Sequence, residues 1–259
     1  MNMDSNPFKA PDARVADAGA SSGEFLPDGQ VVPAGNGVSW ITKGWEMFKQ
    51  APGVWIGVTL IFMVIMIVLG VIPLVNLVAA LFAPVFAGGI MLGCKALEDG
   101  NELTINHLFA GFSNNFGNLV LVGAIYLVGI IVIYVMMFLI GGGALAGATL
   151  MGGGKASAAA ILLPMLLLLL VMVALMIPLA MAVWYAPALV VFHEVPPFQA
   201  MKASFFICIK NFVPFLIYGL VVLVLGIVAT IPLGLGWLVL MPVLYASVYT
   251  SYKDMFIRS

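Results

Sequence analysis

Uncharged apolar runs dominate this chain, at residues 53–74, 75–94, 118–154, 156–192 and 211–252. Crossing about 30 Å of hydrocarbon takes roughly 20 helical residues, so each run can cross a bilayer and the last can do so twice. Strands of a membrane barrel would alternate apolar and polar residues over segments of about ten, and no run here does so. Lipid offers no partner to an unpaired backbone N–H or C=O, so the spans are helices. Composition agrees: 63% of the 259 residues are hydrophobic and 8% charged, against about 45–50% and 25% in soluble domains.

Residues 1–37 lack an apolar core and are rich in Asp, Ala, Gly, Pro and Ser. That is not a signal peptide; it predicts a disordered, uncleaved tail. Residues 38–256 then read as a single polytopic domain. Val38–Gln50 puts Val38, Ile41, Trp45 and Phe48 on one face and Lys43, Glu46 and Lys49 elsewhere, the pattern of an interfacial helix. Spans follow at about 53–71 and 75–94, with Ile72-Pro73-Leu74 as the turn. A second amphipathic stretch carries Ile105, Leu108, Phe109, Phe112 and Phe116 at helical spacing, and span three covers about 118–140. Residues 141–157 contain seven glycines and one charge, Lys155, which predicts a flexible loop.

The run 158–192 would make about 50 Å of helix, with Pro164, Pro178 and Pro187 as kink sites. It reads as one kinked span or as two shorter segments. Pro196 and Pro197 open a third amphipathic helix, with Phe198, Met201, Phe205, Cys208 and Phe212 on one face and Lys202 and Lys210 pointing away. Spans five and six occupy about 212–230 and 234–252, divided by Ile231-Pro232-Leu233. The fold class is thus an all-α integral membrane protein, with about six transmembrane helices and three amphipathic helices.

One plan is written three times: an amphipathic helix, a span, a break and a second span with an internal proline. Ile72-Pro73-Leu74 precedes Ala83-Pro84-Val85, Ile177-Pro178-Leu179 precedes Ala186-Pro187-Ala188, and Ile231-Pro232-Leu233 precedes Met241-Pro242-Val243. In the second unit the Ile-Pro-Leu lies inside span four, so the repeat has diverged there or arisen by chance. Six spans put Lys9, Arg14, Lys43, Lys49, Lys95, Lys202, Lys210, Lys253 and Arg258 on one side and Lys155 on the other. By the positive-inside rule the first side, with both termini and all three amphipathic helices, is cytoplasmic. There the lysines can meet anionic headgroups. Trp40, Trp45, Trp55, Trp184, Tyr185, Tyr245, Tyr249 and Tyr252 are expected as interface anchors. In span two, Ala79, Ala83 and Ala87, with Gly89 and Gly93, form small-residue strips suited to packing within the protein.

No Asp, Glu, Lys, Arg or His falls inside an expected span, which disfavours an ion-coupled transporter. Thr59, Asn76, Thr230 and Ser247 read as local hydrogen bonders. His193-Glu194 is the one adjacent histidine and acid pair, and it lacks a second histidine at zincin spacing. His107 lies on an amphipathic helix. Lys95 to Glu102 reads as a solvated turn, and Gly141 to Gly154 is no phosphate loop because no GK[ST] follows. Cys94 and Cys208 have no CxxC partner and read as apolar packers. The 16 methionines read as lipid-facing or packing residues. No catalytic, cofactor-binding or metal-ligating residue is assigned, no cofactor is expected, and a net charge of −1 gives no reason to expect nucleic acid.

The stretches Ala186-Pro187-Ala188-Leu189-Val190, Ala200-Met201-Lys202-Ala203-Ser204-Phe205 and Lys210-Asn211-Phe212 carry a resemblance, together with Pro242-Val243, Tyr249 and Tyr252-Lys253-Asp254. They are similar to uncharacterised proteobacterial six-span inner-membrane proteins, akin to the YciC-like family and to the membrane domain fused to some glycerophosphodiester phosphodiesterases. The resemblance covers about residues 34–256. Asn6-Pro7-Phe8-Lys9-Ala10-Pro11 also resembles an opening found in bacterial membrane proteins, with Phe for Tyr. The resemblance implies an inner-membrane location and no established activity. The expectation is a non-enzymatic scaffold or accessory factor, in contact with the bilayer and with another membrane protein; the alternative is a lipid-handling or small-solute transport protein.

Overall fold

The computed structural model describes residues 23–71, 73–151 and 158–258. The chain is helical almost throughout: α1 (Asn36–Gln50), α2 (Pro52–Val71), α3 (Pro73–Glu98), a 3-10 helix (Ile105–Phe112), α4 (Phe116–Met151), α5 (Ala158–Trp184), α6 (Ala186–His193), α7 (Pro197–Lys210), α8 (Phe212–Thr230) and α9 (Trp237–Phe256). Two short strands, β1 (Glu24–Phe25) and β2 (Ile257–Arg258), pair antiparallel with Phe25 opposite Ile257. Among the described residues five stretches are long and apolar enough to cross a membrane: Pro52–Val71, Ala79–Glu98, Phe116–Gly143, Leu162–His193 and Phe212–Thr230. The chain is an all-α, multi-pass integral membrane protein.

The expected sixth span, 234–252, departs from this pattern. Residues 231–236 are turns, and α9 starts only at Trp237. Its second half carries Ser247, Tyr249, Thr250, Ser251 and Tyr252, all buried, before Lys253 and Asp254. This helix is polar because it is covered by protein, packing on α1, α2, α3 and α8. By contrast Leu162–His193 is one stretch, broken at Tyr185 between α5 and α6. α6 has eight residues, about 12 Å of helix, too short to span alone, so by length and composition the stretch counts as one candidate span.

The break has a visible cause. Tyr185 N–H donates to Ser204 Oγ (2.9 Å), and Ser204 Oγ–H donates to the Met181 carbonyl (2.6 Å). The α7 hydroxyl therefore sits between the two groups that would otherwise close the helical i→i−4 bond. Pro164 and Pro178 lie within α5 without ending it.

The glycine-rich segment differs from its expected loop. α4 is 36 residues long and continues through Gly141, Gly142, Gly143 and Gly147 to Met151. Glycine weakens a helix in water because the exposed backbone finds other partners, whereas in hydrocarbon the helix is what satisfies it. Residues 152–157, with Lys155, and the tail from 1 to 22 lie outside the described residues. The remainder of the expected tail is ordered: residues 23–33 form a strap across the end of α9, and α1 starts at Asn36.

Each short helix lies mainly on the spans that precede it in cyclic order. α1 packs on α8 and α9, the 3-10 helix on α2 and α3, and α7 on α4 and α5. A small residue permits each approach. A Cβ on Gly44 would stand 2.6 Å from the Val243 carbonyl oxygen, one on Gly111 would collide with the Val85 carbonyl, and Ser204 fills the Met181–Tyr185 gap. Val85 and Val243 each follow the proline of their helix, Pro84 and Pro242. The corresponding contact of α7 falls at Met181 and Tyr185, not at the Pro187 that the sequence pattern picked out. The strip in α3 packs within the protein, Gly89 and Gly93 lying against the 3-10 helix and its approach.

The buried faces are rotated from the expected ones. α1 buries Gly37, Trp40, Ile41, Gly44, Met47 and Phe48, leaving Val38 and Trp45 exposed. α7 buries Ala200, Met201, Ser204, Ile207 and Cys208, while Phe198 (71%) and Phe212 (60%) are exposed and Phe205 is half-buried. On the second amphipathic stretch only Leu108 of the five expected positions is fully buried. Small side chains let helix backbones close on one another, and the large apolar ones are left for lipid.

Candidate functional site

Every charged side chain among the described residues belongs to one end of the molecule, formed by the strap, α1, the α3 terminus with the loop after it, the α6–α7 region and the ends of α9 and β2. The last three turns of α9 are the hub of this end. Ser251 Oγ accepts from the Tyr185 hydroxyl (2.8 Å), and the Tyr218 hydroxyl lies 2.8 Å from Ser247 Oγ. Tyr252 meets His193 Nε2 at 2.6 Å, and Tyr249 donates to Glu98 Oε2 at 2.5 Å. Thr250 is within reach of the Trp40 carbonyl at 3.2 Å. Bonds from one helix thus reach α1, α3, the α5–α6 break, α6 and α8. Such satisfied bonds contribute about 1 kcal/mol each, and removing one partner in a buried pair costs about 1–3 kcal/mol.

Asp254 gathers α1. Its Oδ2 accepts from Asn36 Nδ2 (3.1 Å) and Trp40 Nε1 (2.9 Å), and its Oδ1 pairs with Lys43 Nζ at 2.9 Å. The spacing of 36, 40 and 43 places the three donors along one face of a helix. Lys253 pairs with Glu98, tying α9 to α3. The strap completes the end: Leu26 N donates to Phe256 O and Gln30 N to Met255 O, both at 2.8 Å. Val32 N donates to Asn211 Oδ1 at 2.8 Å, and Asn211 Nδ2 returns a bond to Gln30 O at 3.1 Å. Phe25 stacks on His193 with ring centres 3.6 Å apart.

A cleft of about 870 Å³ opens between the strap, α1 and the ends of α3 and α9. Its wall carries Lys43, Glu46, Glu98, Lys253 and Asp254. Each is already paired: Lys43 with Asp254, Lys253 with Glu98, and Glu46 with Lys49 at 2.7 Å. The cleft therefore offers hydrogen-bonding groups of both signs and no concentrated field of either. A second groove, about 480 Å³, lies between the strap and α7 and contains Lys202 and Lys210.

The residues weighed from sequence are not brought together. His193 lies between Phe25 and Tyr252, while Glu194 is exposed at a left-handed cap (φ 52°) with its backbone bonded to the end of α6. His107 turns back on Thr104, its Nδ1 accepting from the Thr104 N–H at 3.0 Å, and so caps the 3-10 helix. In the 95–102 turn, Lys95 pairs with Asp99 at 2.9 Å, and Glu98 faces α9. Cys94 and Cys208 are buried and free; Cys208 Sγ lies 3.7 Å from the Met181 carbonyl, and burial pushes its thiol up to about 12. Among the described residues no three His, Cys, Asp or Glu side chains gather in a way that could hold a metal.

Of the expected interface anchors, Trp45 and Trp184 are about two-fifths exposed, but Trp40, Trp55, Tyr185, Tyr249 and Tyr252 are buried. They serve as core hydrogen bonders because each polar tip finds a protein partner: Trp55 Nε1, for example, lies 3.3 Å from Met47 O. Thr59 is fully buried and its hydroxyl has no partner among the described residues, contrary to its expected local bond. Thr230 does bond locally, to Gly226 O at 2.8 Å. The side chain of Asn76 lies outside the described residues. What sequence reading missed is the Asp254 hub, although Asn36, Trp40 and Lys43 at helical spacing were a visible signal.

No protein-family model matches the chain, and no solved structure matches it. The chain is similar to a protein of Burkholderia thailandensis named "probable inner membrane protein", at 27% identity over 250 residues that cover 87% of this chain and 92% of that protein.

Proposed function

We propose that this chain is a non-enzymatic protein of the bacterial inner membrane that scaffolds or assists another membrane component, with both termini in the cytoplasm. The observation that carries the reading is the use made of the charged groups. Lys43–Asp254, Lys253–Glu98 and Arg258–Glu24 join parts of the chain that are far apart in sequence, so these charges act as architecture at one end of the bundle. The printed name of the Burkholderia relative supports the inner membrane. The clustering of lysines on that end supports a cytoplasmic position for it, and the cyclic seating of α1, the 3-10 helix and α7 supports three units built on one plan. Kinship with the YciC-like proteins is part of the same proposal, carried by the motifs from Ala186 onward.

The test is native mass spectrometry of the tagged protein taken from its own membrane in mild detergent. A reproducible protein companion is expected. A chain that stays solitary under all conditions would sink the scaffold reading. Lipid handling is the second reading, favoured by the lysine-containing groove beside α7; lipid retained without any protein companion would move the assignment there.

A further inference from the structure

The groove between the strap and α7 differs from the larger cleft in one respect: among the described residues its cations have no ion-pair partner. Five of the seven lysines and arginines among the described residues are ion-paired: Lys43, Lys49, Lys95, Lys253 and Arg258. The other two, Lys202 and Lys210, line this groove together. Lys210 donates to the Asp28 carbonyl oxygen at 3.1 Å, a neutral acceptor that leaves its charge in place. Asp28 is the one acidic residue in the lining, so the groove sets two lysines against a single acidic residue. Gln199 adds an amide donor.

Position supplies the second argument. α7 begins three residues after α6 ends and is separated from α8 by Asn211 alone, so it lies where two apolar helices meet the charged end. Its outward side carries exposed apolar residues: Phe198, Phe206 (49%) and Ile209 (48%), followed by Phe212 at the head of α8. Phe206 is itself part of the groove wall. Unpaired ammonium groups at headgroup level beside exposed apolar side chains match a phosphate attached to acyl chains better than a free solute.

We propose that this groove binds the phosphate headgroup of an anionic phospholipid, with Lys202 and Lys210 contacting the phosphate and Phe206 lying along the first part of an acyl chain. Each lysine near such a surface contributes enough for about a fivefold change in retention, and the pair about 30-fold. The full-length protein in mild detergent is mixed with equal amounts of phosphatidylglycerol and phosphatidylcholine, and bound lipid is counted by native mass spectrometry. Preferential retention of phosphatidylglycerol by the wild type is expected. It should fall about 30-fold in the K202Q/K210Q variant, persist in K202R/K210R and persist in K49Q, which removes a paired lysine outside the groove.

Equal retention of both lipids by the wild type, or undiminished preference in K202Q/K210Q at an unchanged melting temperature, would overturn the proposal. So would displacement of the lipid by millimolar glycerol 3-phosphate, which would make the groove a site for free phosphate esters. The lipid count is read separately from any protein companion, so this proposal and the scaffold reading can fail independently.

Discussion

The two ends of the bundle are built on different physics. At the charged end, α9 is sheathed by α1, α2, α3 and α8, and its polar side chains find partners on five other parts of the chain. Along α5 from Leu162 to Val173 most side chains are exposed, Leu163 at 71% and Leu167 at 61%. Both regions are helical, yet the first is held by a network of hydrogen-bonded side chains. In lipid an apolar helix needs no protein cover, because the solvent is as apolar as the side chain. Where polar groups must be buried, each requires a partner, and partners fix geometry.

That contrast can be broken most forcefully at the glycines. Gly44→Leu drives a side chain into the Val243–Ser247 backbone, which has no room for even a Cβ; a loss of about 3 kcal/mol or more is expected. Gly142→Leu, where a Cβ would meet no atom of another element within 4 Å among the described residues, should change stability by no more than about 0.5 kcal/mol. Melting temperatures in one detergent compare the two, and equal losses would mean that the α4 end is as tightly packed as α1.

Truncating buried and exposed leucines sharpens the same point. Leu189→Ala, at a fully buried position, should cost about 2–4 kcal/mol in reversible unfolding, whereas Leu167→Ala should cost about 0.5 kcal/mol or less. A smaller loss is expected for Tyr185→Phe, which leaves Ser251 Oγ without its donor and should cost about 1–2 kcal/mol. Smallest is Thr59→Val. It replaces a buried hydroxyl without a partner by a methyl of the same shape, and the melting point should stay level or rise by an amount worth up to about 1 kcal/mol. A clear loss there would show that the hydroxyl has a partner in the native membrane.

Much of the architecture was legible from the apolar runs, because in a membrane length and lack of charge nearly dictate a spanning helix. The Pro197 start of α7 and the break after Gln50 were legible too, since proline acts locally. The rotations of α1 and α7 were not: Val38 and Trp40 are both apolar, and no pattern says which meets protein and which meets lipid. The Gly141–Met151 helix was missed because glycine was read by its behaviour in water. Tyr249 and Tyr252 were misread as interface anchors, since an amphipathic ring suits a membrane surface as well as a buried bond.

The sequence by itself determined that this chain is a helical, multi-pass membrane protein and that its charged residues fall outside the long apolar runs. Those properties depend on runs of neighbouring residues and on the energy of burying charge in hydrocarbon. Only the tertiary structure decided that polar α9 is enclosed by other helices, that Asp254 collects three donors from α1, and that Lys202 and Lys210 share a groove with no ion pair to either among the described residues. The Asp254 contacts depend on residues that meet across more than 200 positions of chain, as Trp40 and Asp254 do at a separation of 214, and the groove on a strap that meets α7 across 182, as Asp28 and Lys210 do. Local periodicity carries no record of such meetings.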